Sequence, residues 1–265
     1  MPVTLLACDL DGTVLGPGNA IAPEARAALQ SAAAAGWTIV LASGRMLCSV
    51  RGVQAALGVQ GPIIAYNGGM VAVGDGRTLH HPVPVPVARR VAAVCADHGY
   101  FLQSYQDDAL YVPQPDPRAE AYSALAGVPH HIDPERVVRS NVAPTKLLVI
   151  EPVERQPEVR ERIAPLAPGQ LELCNSYPHY LEITAAGVDK GTALAELCGL
   201  LGVEAEGVLA VGDGENDLPM LRYAGQAVAV ANATPAVRAA VGRVTAAAWG
   251  AGVAEAVRLG GGPAV

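Results

Sequence analysis

Two aspartates follow directly after an apolar run near the start of the chain. Residues 5–8 read Leu-Leu-Ala-Cys, and the segment that follows from Asp9 reads Asp-Leu-Asp-Gly-Thr. A short apolar run that ends at a turn signal predicts a buried strand, and open α/β sheets bind ligands beyond the carboxyl ends of their strands. Asp9 and Asp11 are two residues apart, so in extended chain their side chains point the same way.

Two carboxylates this close together need a partner. At about 4 Å and an effective dielectric constant of about 20, they repel each other by about 4 kcal/mol. A bound cation, a proton held by one of them, or full solvation offsets this repulsion. On these residues alone, a solvated Asp-Gly turn explains Asp9 and Asp11 as well as a functional site does.

Three further polar clusters follow apolar runs or loops later in the chain. They are Ser43 and Gly44 after residues 37–42, Lys190 after the loop 185–189, and Asp213, Asn216 and Asp217 after residues 208–211. Each cluster alone has a structural interpretation: a serine that caps a helix, a surface lysine, or acidic residues at a helix start. Four such clusters in one chain are harder to explain by structure alone.

Together, the four clusters supply the groups that phosphoryl transfer requires. A carboxylate can attack phosphorus and form an acyl phosphate. A Mg²⁺ ion on Asp9 and Asp213 would offset the repulsion between that carboxylate and the phosphate. A lysine and a serine would hold the remaining phosphoryl oxygens, and Asp11 is placed to protonate the leaving alkoxide.

Composition excludes several other classes of protein. The chain has 265 residues, of which 51% are hydrophobic, so it can form one large or two modest domains with real cores. Its net charge of −7 and its lack of a basic run argue against nucleic acid as a partner. Five scattered cysteines without a CxxC pair favour a reducing compartment. With no signal segment and no membrane-length apolar run, a soluble cytoplasmic protein without a membrane partner is expected.

The order of predicted elements indicates an α/β fold interrupted by an insertion. Strands alternate with helices in residues 1–81 and again in residues 184–265, which predicts a doubly wound parallel sheet of the Rossmann-like type. Between them, residues 82–183 begin with a proline-rich extended stretch and continue with short strands and helices. We expect this segment to be an inserted α+β domain.

These motifs resemble those of the haloacid dehalogenase-like superfamily and, within it, the Cof-type phosphatases. The matching segments are Asp9-Leu10-Asp11-Gly12-Thr13, Ser43-Gly44-Arg45, Lys190-Gly191 and Gly212-Asp213-Gly214-Glu215-Asn216-Asp217. They occur in the family's order over nearly the whole chain. The inserted segment, residues 82–183, falls between the second and third motifs, so the resemblance implies that it is a cap domain that selects the substrate. One departure is Ala246-Ala247-Ala248-Trp249-Gly250, which stands where the family has a late Asp-rich segment.

The resemblance implies a role for each site residue. Asp9 would be the nucleophile and Asp11 the general acid and base. Mg²⁺ would be held by Asp9, the main-chain carbonyl of Asp11, and Asp213. The residues in contact with the phosphoryl group would be Ser43, Gly44, Lys190 and Asn216. Asp217 would support the site by orienting Lys190 or a metal-bound water.

The expected activity is hydrolysis of a small phosphorylated metabolite, with sugar phosphates ahead of phosphorylated cofactors. A phosphomutase that uses the same nucleophile and a phosphometabolite sensor with little turnover stay open as alternatives. A dehalogenase needs neither Mg²⁺ nor a second acid, so Asp11 and Asp213 argue against it. In the inserted segment, Lys146 is interpreted as a structural or cap contact. The pairs His130-His131, Asp107-Asp108 and His179-Tyr180 are interpreted as solvated loop or cap residues.

Overall fold

The computed structural model describes residues 2–175 and 177–263. It contains two compact units: Met1–Leu79 together with Asp189–Val265, and His80–Val188. The sequence pattern predicts boundaries at 81/82 and 183/184, whereas the two units divide at 79/80 and 188/189. The second boundary lies later in the structure because a strand that begins at Tyr180 continues to Ala185.

A seven-stranded sheet forms the centre of the first unit. Its strands are β1 (Leu5–Asp9), β4 (Thr38–Ala42), β5 (Ile63–Ala65), β6 (Met70–Ala72), β7 (Thr78–His80), β14 (Val208–Gly212) and β15 (Gln226–Ala229). The strands β2 (Leu15–Gly16) and β3 (Ala20–Ile21) form a small separate hairpin. The order across the sheet is β15-β14-β1-β4-β5-β6-β7. The five strands from β15 to β5 are parallel, and β6 is antiparallel to β5. The predicted α/β fold with a parallel sheet is confirmed, with β6 as an antiparallel extension.

Helices cover both faces of this sheet. They are α1 (Pro23–Ala34), α2 (Leu47–Leu57), α7 (Lys190–Leu201), α8 (Leu218–Tyr223), α9 (Pro235–Ala240) and α10 (Trp249–Leu259). Leu5 and Ala7 pack with Leu194 of α7 in one buried cluster. Side chains alternate along a strand, so Leu6 and Cys8 face the opposite side.

Small residues allow the helices to approach each other closely, as the Ala-rich composition suggests. On α1, the buried residues Ala25, Ala28, Leu29 and Ala32 recur at helical spacing and form one apolar face. A Cβ added at Gly250 of α10 would lie 2.8 Å from the Cβ of Ala25. The α1–α10 packing therefore depends on a residue without a side chain.

The second unit contains a six-stranded sheet in the order β10-β9-β8-β11-β13-β12. Its elements are α3 (Val85–His98), β8 (Phe101–Gln106), β9 (Ala109–Val112), α4 (Pro117–Ala126), β10 (His130–Ile132), α5 (Pro134–Val138), β11 (Lys146–Ile150), α6 (Gln156–Ile163), β12 (Leu171–Cys174) and β13 (Tyr180–Ala185). All neighbouring strands are antiparallel except β9 and β10. Its core is built from β11 and β13 residues packed against α3 and α6.

The second unit also contains elements that the sequence pattern does not predict. On α4, only Ala119 and Tyr122 are buried, so no apolar stripe marks this helix. The proline-rich stretch after residue 81 is predicted as extended, but α3 already begins at Val85. A proline in the first helical turn loses no hydrogen bond, and therefore Pro86 is compatible with this start.

Two negative findings apply to the described residues. No helix in the described chain is both long enough and apolar enough to cross a membrane. All five cysteines are free thiols.

Candidate active site

The carboxyl ends of β1, β4 and β14 lie side by side, and this brings the predicted polar clusters to one edge of the first unit's sheet. Asp9, the last residue of β1, pairs in register with Ala42 at the end of β4. On the other side, Cys8 pairs with Val211, the residue before the end of β14. Ser43 therefore begins its turn beside Asp9, and the turn after Gly212 begins on the opposite side of β1.

The turn after Asp9 packs tightly against the turn after β14. Oγ1 of Thr13 donates a hydrogen bond to Oδ1 of Asp213 at 2.8 Å. Gly12 has φ of +89°, and a Cβ added there would lie 2.3 Å from Oδ2 of Asp213. Only glycine fits this approach, because any side chain would push Asp213 away as well as strain the backbone.

Lys190 joins two carboxylates in the interior. Its side chain is fully buried, and Nζ lies 2.6 Å from Oδ1 of Asp9 and 2.7 Å from Oδ1 of Asp217. Lys190 is the first residue of α7, which Asp189 caps by accepting hydrogen bonds from the N–H groups of Gly191 and Thr192. The helix start thus fixes the direction in which the lysine leaves the backbone.

Both oxygens of Asp217 are occupied within the protein. Oδ2 accepts the main-chain N–H groups of Asp213 and Gly214 at 2.9 and 3.0 Å, and Oδ1 accepts from Lys190. The side chain of Asp217 therefore holds both the lysine and the turn that carries Asp213.

One oxygen of Asp9 stands apart from this network. Oδ2 of Asp9 is buried and has no hydrogen-bond partner among the described residues. Carboxylate oxygens of Asp9, Asp213 and Asp217 lie within 4.8 Å of one another. When all are ionised, these three groups and the single ammonium of Lys190 carry a net charge of −2. A hard divalent cation fits the oxygen donors and this charge.

The pKa values of these groups reflect an excess of buried negative charge over positive charge. Burial, and then the charge of Asp217, raise the pKa of Asp9 well above its ordinary value. Burial is also the main cause that raises the pKa of Asp213 to about 6, although the Thr13 hydrogen bond opposes the increase. Burial alone would lower the pKa of Lys190, but the carboxylates of Asp217 and Asp9 raise it above its ordinary value.

Asp11 belongs to a second group of side chains. Its carboxylate accepts from Oγ of Ser43 at 3.3 Å and is paired with the guanidinium of Arg45, whose Nε lies 2.9 Å from both carboxylate oxygens. Arg45 also donates to Oδ1 of Asn19 in the turn between β2 and β3. Arg45 belongs to the Ser43-Gly44-Arg45 motif, but its pairing with Asp11 is a contact that sequence reasoning missed.

Asn216 contacts a third group. Its Nδ2 donates to Oδ1 of Asn67 at 3.1 Å, and a Cβ added at Gly44 would lie 3.2 Å from the Asn67 amide. The dipeptide Asn67-Gly68 is a turn signal in the sequence, but nothing in the sequence pattern connects it to Asn216.

Asn232 is a further residue that sequence reasoning missed. Its Nδ2 donates to the main-chain oxygen of Gly12 at 2.8 Å, and its Oδ1 accepts the N–H of Trp249 at 2.9 Å. Asn232 lies in the loop before α9, which begins at Pro235. Asn232 thus connects the turn after β1 to the first residue of α10.

The candidate residues of the inserted segment lie within the second unit. Nζ of Lys146 lies 3.3 Å from Oε1 of Glu182, and both side chains are buried. Nδ1 of His130 is hydrogen-bonded to Ser123, and Asp107 is paired with Arg136. The pairs involving Lys146, His130 and Asp107 link elements of the second unit.

Comparison with known proteins gives the family. A model described as haloacid dehalogenase-like hydrolase matches residues 6–257. The chain is a haloacid dehalogenase-like hydrolase. This hydrolase is 32% identical over 258 residues to a phosphoglycolate phosphatase of Methanopyrus kandleri, with 96% of each chain covered. It is 27% identical over 239 residues to an HMP-PP phosphatase of Serratia proteamaculans, with 88% of this chain and 86% of that protein covered.

A solved structure supports the same assignment. A crystal structure of a Thermotoga maritima protein is 31% identical to this hydrolase, covers 97% of each chain and superposes with a TM-score of 0.88. The predicted Cof-type family is confirmed. The chain is thus a phosphoric monoester phosphatase of the haloacid dehalogenase-like type.

Proposed function

We propose that this phosphatase hydrolyses a small phosphorylated metabolite through an aspartyl-phosphate at Asp9. The observation that carries the proposal is the buried Oδ2 of Asp9, which lacks a partner among the described residues while Oδ1 is held by Lys190. Burying a carboxylate oxygen without a partner is costly. A cation and a phosphoryl group bound beside this oxygen would offset the cost.

The donor set suits Mg²⁺. Asp9 and Asp213 would hold the ion with their carboxylates, and the main-chain carbonyl of Asp11 would complete the protein ligands. All of these are hard oxygen donors, which Mg²⁺ prefers. The bound ion would neutralise the charge between the nucleophile and the phosphoryl oxygens. Asp217 is not included as a ligand, because Lys190 and two N–H groups already occupy its oxygens.

The chemistry has two steps. An oxygen of Asp9 forms a bond to phosphorus while the bond from phosphorus to the leaving oxygen breaks. Asp11 donates a proton to the leaving oxygen in the same step. Asp11 then takes a proton from a water molecule that attacks the phosphorus of the acyl phosphate. The bond to Asp9 breaks, inorganic phosphate leaves, and the Asp9 carboxylate is regenerated.

Four residues would hold the phosphoryl oxygens during both steps. These are Ser43, Gly44, Lys190 and Asn216, all of the first unit. Lys190 contributes charge, Ser43 a hydroxyl, Gly44 a main-chain N–H and Asn216 a side-chain amide. Charge-assisted hydrogen bonds of this kind are among the strongest that a protein makes.

For the substrate we propose a sugar phosphate first and a phosphorylated cofactor second. The relatives named for phosphoglycolate and for HMP-PP support a small phosphometabolite, although their names differ from each other. We assign the choice of leaving group to the inserted segment, residues 82–183. We also place the reaction in the cytoplasm, which the free cysteines support.

Phosphate release from p-nitrophenyl phosphate, with and without EDTA, tests the proposal. We expect turnover with Mg²⁺ and its loss with EDTA, and a panel of phosphorylated metabolites then identifies the substrate. Binding without turnover would instead indicate a sensor. Transfer of the phosphoryl group back to a sugar phosphate, with little free phosphate, would indicate a phosphomutase.

A further inference from the structure

The turn Tyr66–Gly68 after β5 has an unusual backbone. Tyr66, Asn67 and Gly68 have φ values of +53°, +55° and +105°. A bulky residue such as Tyr66 rarely adopts a positive φ, and such strain persists only where surrounding contacts impose it. Tyr66 is also fully buried. The contacts that impose this conformation therefore indicate what the turn does.

The turn is held by the segments that carry the phosphoryl-binding residues. The N–H of Tyr66 donates to the carbonyl of Arg45 at 2.9 Å, and the N–H of Asn67 donates to the carbonyl of Ser43 at 3.0 Å. On its other side, a Cβ added at Gly68 would lie 2.4 Å from the carbonyl oxygen of Asp189, the residue before Lys190. Main-chain contacts thus join this turn both to the Ser43 turn and to the start of α7.

The side chain of Asn67 joins the turn to the segment that carries Asn216, the remaining phosphoryl-binding residue. Its Oδ1 accepts from Nδ2 of Asn216 at 3.1 Å, and its amide lies against Gly44. The amide nitrogen of Asn216 carries two hydrogens. One hydrogen is directed to Asn67, and this fixes the plane of the amide and the direction of the other.

We propose that Asn67 is a positioning residue that orients the Asn216 amide toward a phosphoryl oxygen. This inference rests on the proposed role of Asn216 in binding the phosphoryl group. Asparagine suits the position because it tolerates a positive φ better than most residues and supplies an acceptor oxygen. Through the same turn, Asn67 keeps Asn216 in register with Ser43 and Lys190.

A double-mutant cycle on the full chain tests the proposal. Binding of inorganic phosphate in the presence of Mg²⁺ is measured by calorimetry for wild type, Asn67→Gly, Asn216→Ala and the double variant. Glycine is chosen because a positive φ does not strain it. We expect each single variant to weaken phosphate binding about tenfold, the loss of one charge-assisted hydrogen bond. The double variant should bind no more than about twofold more weakly than Asn216→Ala alone.

Either of two results would overturn the inference. One is phosphate binding by Asn67→Gly within twofold of wild type, and the other is a loss in the double variant equal to the product of the single losses. Asn141→Gly, at an exposed asparagine of the second unit, is the matched control and should bind phosphate as wild type does.

A second variant covers the case in which Asn67→Gly unfolds. Asn67→Asp keeps the acceptor oxygen, so Asn216 should keep its contribution to phosphate binding: adding Asn216→Ala to Asn67→Asp should weaken binding about tenfold, as it does in wild type. If Asn216→Ala has no effect when combined with Asn67→Asp, the acceptor oxygen does not orient Asn216 and the inference fails. Failure of the proposed function is distinguishable, because wild type would then bind phosphate without hydrolysing p-nitrophenyl phosphate.

Discussion

Nζ of Lys190 lies 2.6 Å from Oδ1 of Asp9, although the two residues are 181 positions apart in the chain. The pair is buried, and its partner Asp217 is buried as well. Removing charges from water costs several kcal/mol for each ion, which a pair recovers only with good geometry and further hydrogen bonds. We infer that this arrangement, in which Oδ2 of Asp9 has no hydrogen-bond partner among the described residues, serves to bind a ligand.

Metal binding should depend on Asp213 and not merely on local acidity. Mg²⁺ at one hundred times its dissociation constant should stabilise the wild-type protein by about 2.7 kcal/mol, because it binds only the folded state. Asp213→Asn should remove this response, as measured by thermal unfolding with Mg²⁺ and with EDTA. Asp189→Asn is the matched control: asparagine caps helices as well as aspartate does, so the response should persist. An undiminished response in Asp213→Asn would contradict the proposed ligand set.

Gly12 should be required for the position of Asp213. Gly12→Ala places a Cβ 2.3 Å from Oδ2 of Asp213, so activity and Mg²⁺ affinity should both fall at least tenfold. Gly36→Ala is the control, because its φ of +90° is nearly the same and no atom lies within 4 Å of the added Cβ. Both variants should lose about 1 kcal/mol of stability from backbone strain. Equal activity in the two variants would show that the contact with Asp213 is unimportant.

The role of Asp11 as an acid predicts a dependence on the leaving group. Asp11→Asn should slow hydrolysis of an alkyl phosphate at least a hundredfold, because the alkoxide then leaves without a proton. The loss should be smaller with p-nitrophenyl phosphate, whose leaving group is stable as an anion. Steady-state rates for both substrates measure the difference. The same loss for both substrates would remove the assignment of Asp11 as the acid.

The Asp116–Arg118 pair predicts a pH dependence of stability. The hydrogen bond from Arg118 lowers the pKa of Asp116 below its ordinary value of 3.8. A carboxyl group with a depressed folded-state pKa stabilises the fold above the unfolded-state value, and this contribution is lost as pH falls through the folded-state value. Asp116→Asn keeps the cap of α4, so it should be less stable than wild type at pH 7 by about 1 kcal/mol. Urea unfolding should show this gap closing below about pH 3.8, and a gap unchanged at pH 3 would contradict the account.

The positions of Asp9, Ser43 and Asp213 follow from the sequence because each comes at or directly after the end of an apolar strand. The carboxyl ends of parallel strands meet at one edge, so the meeting of these residues requires no knowledge of the loops. Lys190 is different. The motif identifies it as a candidate residue, but its burial depends on how closely α7 approaches α8, which the sequence pattern does not predict. A Cβ added at Gly191 would lie 2.5 Å from the carbonyl of Pro219, which shows how close that approach is.

The contacts of Asn67, Asn232 and Arg45 could not be derived from the pattern. Each depends on the backbone path of a turn, and side chains of this kind have no periodicity that marks them. The same reason applies to α4, where only two of ten residues are buried and the apolar signal is absent. Sequence reasoning therefore named Asp9, Ser43 and Asp213 at strand ends and also Lys190 and Asp217, but it gave none of the contacts made by Asn67, Asn232 and Arg45.

Chemical trapping of the phosphorylated enzyme tests the central claim most directly. Enzyme mixed with substrate and Mg²⁺ is quenched and treated with borohydride, which reduces an aspartyl-phosphate to homoserine, and the peptides are then analysed by mass spectrometry. The account predicts homoserine at position 9 in wild type and none in a folded Asp9→Asn variant, whose turnover should fall at least a thousandfold. Homoserine at another position, or turnover by Asp9→Asn close to wild type, would contradict it.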